Sequence, residues 1–88
     1  MSISWGMTTA ERLARLRFLT KSGEARTIRE AAQLALSDIA QSIDADPSSV
    51  GRWERGERLP RGDVALRYAR LLERLSKPTG TGVRSGAA

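Results

Sequence analysis

Thirteen residues, VGRWERGERLPRG at 50–62, hold the side chains with the most chemical character. Arg52, Arg55, Arg58 and Arg61 recur at every third position, and Trp53 sits among them. A guanidinium carries a fixed fork of donors that fits a phosphate or the O6/N7 edge of guanine, and it stays charged at physiological pH. An indole between arginines can stack on a base. It can equally be the core residue of a helix whose other face is charged. The choice depends on where the neighbouring segments place their own apolar residues.

Elsewhere the chemistry is sparse. The 88 residues include no cysteine and no histidine. That removes disulfides, thiolate zinc sites, the commonest metal ligand and the usual general base. The chain is therefore not expected to be an enzyme, and no cofactor, metal or small-molecule substrate is expected. No run approaches the ~20 apolar residues of a membrane span. The opening MSISWGM has neither a positively charged segment nor an apolar run, so no secretory signal is expected and the reading is cytoplasmic. A net charge of +5 and an isoelectric point near 11.0 invite a nucleic-acid partner. The charge is uneven. Residues 1–23 carry Arg12, Arg15, Arg17 and Lys21 against Glu11, whereas arginines and acids balance over 24–75. Phosphate binding in the centre must come from arginines gathered on one face.

The elements that would position them are all helical. Thr8-Thr9-Ala10-Glu11 has the form of a capping box, and a helix is expected over about 9–21 with Leu13, Ala14, Leu16, Phe18 and Leu19 as a broad stripe. Gly23 is a plausible stop. A second helix begins near Glu24, with Ile28, Ala31 and Ala32 on one face and a break near 33–35. Ser37 is expected to cap a third helix, 37–43, that turns Ile39, Ala40 and Ile43 inward. Asp44-Ala45-Asp46-Pro47 reads as a tight turn, with Asp46 as the cap and Pro47 at the first helical position of a helix over 47–55. Gly56 stops it. Asp63 is expected to cap a last helix, whose Ala65, Tyr68, Ala69 and Leu72 share one face. The segment 1–8 is expected to be flexible, 9–75 to form one domain, and the Gly/Ser/Thr/Pro-rich 76–88 to be a disordered tail.

The run IREAAQLALSDIAQSIDADPSSVGRWERGERLPRG resembles the helix-turn-helix domain of the phage-repressor family, the Cro-like or XRE group of bacterial and phage regulators. Ala40, Val50 and RWERGER followed by Pro60 carry the resemblance, which covers about 25–75. It implies an all-α, lambda-repressor-like domain of five helices, with 9–21 added in front. Asp44 and Gln33 depart from the pattern, since glycine is common at both places. Aspartate tolerates the left-handed conformation better than most residues.

Helix 47–55 then has two sides. Val50 and Trp53 face Ile39, Ala40 and Ile43, so the indole belongs to the core. The outward side holds Ser48, Ser49, Gly51, Arg52 and Arg55, and in a helix-turn-helix protein that side enters the major groove. Ser48, Ser49 and Arg52 are the expected base readers. Gln41, Pro47, Arg55, Arg58 and Arg61 are the expected backbone contacts, with the N–H groups beside Pro47 aimed at a phosphate. Glu54 is expected to pair with Arg58 at i, i+4. The function implied is a sequence-specific double-stranded DNA-binding regulator, a repressor of phage or mobile-element type, acting as a homodimer in a bacterial nucleoid. Phe18 or Leu66 could supply a dimer surface. The alternative is an antitoxin-like interaction module whose basic first helix docks an acidic partner.

Overall fold

A computed structural model describes residues 8–76. The expected flexible segment and tail therefore lie, apart from Thr8 and Ser76, outside the described residues. Five helices follow one another: α1 Thr9–Ser22, α2 Glu24–Ala31, α3 Leu36–Ile43, α4 Pro47–Glu54 and α5 Gly62–Ser76. The fold is all-α and carries a helix-turn-helix. No helix among the described residues is long and apolar enough to cross a membrane.

The helix starts follow from local side-chain chemistry. At α1 both bonds of the capping box form: Glu11 N–H donates to Thr8 Oγ1 at 3.0 Å, and Thr8 N–H donates to Glu11 Oε1 at 2.8 Å. At α3 the cap is not Ser37. The helix begins at Leu36, and Asp38 reaches back to accept the Ala35 N–H at 2.8 Å. A carboxylate three residues into a helix satisfies an orphan donor as well as a hydroxyl in front of it would. At α4, Asp46 accepts the N–H of Ser48 at 3.0 Å, and Pro47 takes the first helical position. Asp63 lies within the first turn of α5 rather than before it. There its charge faces the positive end of the helix.

Three helix ends share one device. After α2, α3 and α4 the chain passes through a left-handed residue: Gln33 at φ 61°, Asp44 at φ 58° and Gly56 at φ 75°. In each case the following N–H folds back to a carbonyl one turn inside. Leu34 donates to Arg29 O at 3.2 Å, Ala45 to Ala40 O at 2.8 Å and Glu57 to Arg52 O at 2.9 Å. This is the Schellman arrangement, and it satisfies carbonyls that the helix end would otherwise leave open. Arg67 of α5 completes the end of α3 by donating to Ile43 O at 3.0 Å.

The core gathers Leu16 and Leu19 of α1, Ala25 of α2, Ile39, Ala40 and Ile43 of α3, Val50 and Trp53 of α4, and Ala65, Tyr68 and Leu72 of α5. Two expected stripes are corrected. In α1, Ala14 and Phe18 are exposed, and Thr20 is buried in their stead with its hydroxyl donating to Arg17 O. In α2, Ala31 is exposed and Ala25 is buried, with Ile28 and Ala32 half-buried. Alanines on both sides of a short helix do not mark its inner face, so tertiary packing decides it. α1 lies chiefly against α5. Arg12 clamps the pair by donating from Nε and Nη2 to Glu73 at 2.7 and 3.2 Å.

Candidate nucleic-acid interface

α3 and α4 pack on each other across the turn at 44–46, where Asp44 holds a positive φ. Ala40 is 1% exposed, and a larger side chain there would push the helices apart. Ile39, Ile43 and Val50 are equally enclosed. Trp53 is buried too, its ring centroid 5.3 Å from that of Tyr68 and tilted by 37°. The indole is therefore fixed against α5 and is not free to stack on a base.

A buried ion pair ties α4 to α2. Arg29 donates from Nε and Nη2 to the two carboxylate oxygens of Glu54 at 2.6 and 3.0 Å, and from Nη1 to Leu34 O at 2.9 Å. The two side chains are 13% and 5% exposed. The hydrogen bonds to Glu54, opposed by burial and helped by its charge, raise the Arg29 pKa. This corrects the expected pairing of Glu54 with Arg58. α4 ends at Glu54, so no helical i, i+4 relation reaches Arg58. Glu54 faces inward, and among the described residues Arg29 is the cation bonded to it. Tyr68 lies in the same region with a buried hydroxyl that has no hydrogen-bond partner among the described residues. Burial first, then the charge of Glu54, push its pKa well above the ordinary phenol range.

The outer side of α4 carries Ser48 and Arg52, both exposed, and Ser49, half-buried. Between α4 and the loop at 55–61 runs a cleft of ≈ 610 Å³, lined among others by Ser49, Arg52, Arg58 and Arg61, with Trp53 contributing to its wall. The structure thus brings four of the expected contacts together. It separates the others. Arg55 donates to both oxygens of Glu57, at 2.8 and 3.4 Å, and lies over Gly51. A Cβ at Gly51 would come 3.3 Å from Arg55 Nη1, and Gly51 is buried rather than on the open face. Gln41 is exposed on α3, and Pro47 is exposed at the start of α4.

The start of α4 is occupied by an acid. Asp46 accepts both the hydroxyl and the N–H of Ser48, so that N–H is not open to a phosphate as expected. The Ser48 hydroxyl bond first, then backbone bonds and the charge of Arg52, hold Asp46 below the usual carboxylate range. Glu57 is also held low, by the bonds from Arg55 first and then by the charges of Arg55 and Arg52. Sequence reasoning missed Arg29 as the residue that seats α4. Its partner lies 25 residues away, and only the RWERG pattern hinted that Glu54 had a fixed role.

Two helices meeting at an alanine, a three-residue turn and a second helix with one buried and one open basic face define a DNA-binding domain of the helix-turn-helix class. The family model described as a helix-turn-helix domain matches residues 22–77, and the chain belongs to that family. Comparison with curated proteins finds no match, and neither does comparison with solved structures.

Proposed function

We propose that the chain is a sequence-specific double-stranded DNA-binding regulator of the Cro-like, XRE type, and that it acts as a repressor of phage or mobile-element kind. The supporting observation is the two-sided α4: Val50 and Trp53 are buried, Ser49 and Arg52 line a cleft that also carries Arg58 and Arg61, and Ser48 is exposed beside it. Arg52 reads guanine by two parallel hydrogen bonds, and Ser48 and Ser49 contact neighbouring base edges. Arg58 and Arg61 grip the backbone. Gln41 is a secondary backbone contact, and Pro47 lies against the backbone without donating to it. Arg55, tied to Glu57, enters only if that pair opens. Repression follows from occupancy, since a bound domain excludes polymerase from the same duplex. The working unit is 9–75, in the nucleoid of a bacterial host.

An α4 of eight residues covers few base pairs, so a homodimer on half-sites about one helical turn apart is expected. Selection of bound duplexes from a random pool tests this. A palindromic consensus supports both specificity and dimer, whereas recovery of no preferred sequence sinks the reading and favours an interaction module. Arg52→Ala should lose about 1–3 kcal/mol of preference for the selected site while its helical circular dichroism stays unchanged. A variant that keeps full preference removes Arg52 from the base readers.

A further inference from the structure

Two clefts share a wall. One is the cleft between α4 and the loop at 55–61. The other, ≈ 260 Å³, lies between α1 and the same loop, with Leu13, Leu16 and Arg17 on the α1 side. Leu59, Pro60 and Arg61 line both. Arg61 therefore stands between Arg17 on one side and Arg52 and Arg58 on the other. All four arginines are exposed, and none of them forms an ion pair among the described residues. Glu57 is the one carboxylate lining either cleft, and Arg55 already holds it. The two arginines that clamp helices together each hold a carboxylate: Arg12 has Glu73 and Arg29 has Glu54. Arg52 feels the charges of Asp46 and Glu57 without bonding either, and four like charges around two adjoining clefts, none held in an ion pair, make a surface for a polyanion.

We infer that α1 belongs to the DNA-contacting surface, and that Arg17 takes a backbone phosphate next to those held by Arg61 and Arg58. The inference rests on the reading of α4 as the DNA-facing helix. It gives a role to a helix that lies, but for Ser22, in front of the family match. A phosphate accepts the guanidinium fork in two parallel bonds and tolerates small changes of register. Arg17 thus adds affinity without reading sequence, and it lengthens the footprint beyond the helix-turn-helix unit.

The test uses the full chain and a duplex selected from a random pool, with a scrambled duplex beside it. Affinity is measured over a salt series of roughly 50–200 mM. Each phosphate contact contributes about 0.9 to the slope of log affinity against log salt. Arg17→Ala should lower the slope by about that amount on both duplexes and leave the ratio between them, the circular dichroism and the melting temperature unchanged. Arg17→Lys should restore most of the slope. Arg15→Ala, on the same helix but lining neither cleft, should leave it as in the wild type. An unchanged slope in Arg17→Ala, or an equal loss in Arg15→Ala, overturns the inference. If the wild type selects no sequence, the regulator reading falls and this inference with it. If Arg52→Ala loses preference while Arg17→Ala keeps the wild-type slope, only the role of α1 falls.

Discussion

Tyr68 shows what a single atom can cost. Its ring fills the space beside Trp53, but its hydroxyl is buried with no partner among the described residues. A buried polar group left unpaired costs about 1–3 kcal/mol, so Tyr68→Phe should stabilise the fold by roughly 1 kcal/mol or more. The pH dependence has a definite sign. The folded state holds the phenol proton more tightly than the unfolded state does, because burial and Glu54 raise its pKa. Its contribution is full below the ordinary value near 10 and is lost as pH rises beyond it. Thermal melts on both sides of that value should show a steeper alkaline decline for the wild type than for Tyr68→Phe. Equal declines would mean that Tyr68 is not the group responsible. At this scale the place of Trp53 could be read from its distance to Val50, three residues, one helical face. The partner of Glu54 could not. A contact across 25 residues leaves no trace in local periodicity, and the nearest arginine in sequence, Arg58, lies past the end of the helix.

The helices themselves were largely legible because their starts and stops use local chemistry. Thr8 with Glu11, Asp46 with Pro47, and Gly23 and Gly56 act on neighbours a few residues away. The inner faces were less legible. α2 has alanines at 25 and 31, with Ala32 just after it, and nothing in their spacing tells which of them is buried. The Schellman ends give a prediction of their own. Gln33 adopts the left-handed conformation without the help that glycine gives, and such a residue carries roughly 1–2 kcal/mol of steric cost. Gln33→Gly removes that cost but makes the unfolded chain more flexible, by about 0.4–1 kcal/mol. The net should be a stabilisation of roughly 0.5–1 kcal/mol, visible as a melting point a few degrees higher. A lower melting point would show that the Gln33 side chain contributes more than its backbone strain removes.

The whole molecule is larger than the helix-turn-helix unit that names its family. α1 lies, but for Ser22, in front of residues 22–77, yet its Leu16 and Leu19 are buried in the core. Full burial of a leucine contributes about 1.5–3 kcal/mol, and a chain of this size has only about 4–13 kcal/mol of net stability. Removing α1 also strips Glu73 of Arg12 and uncovers the surface of α5. A chain starting at residue 23 should therefore show no cooperative thermal transition, and a sharp melt near that of the full chain would make α1 an accessory. Sequence alone could place this helix but not its purpose, because its partners lie at the far end of the chain.

The ion pair between Arg12 and Glu73 spans 61 residues. Its consequence is one of timing. A ribosome making roughly 5–20 residues each second delivers α1 first and α5 last. Through that interval α1 has α2 and α4 to pack on but lacks α5, its main partner, while α3 and α4, close in sequence, can already meet. α1 thus waits for α5, and only once Glu73 has been made and released can Arg12 close the clasp between them.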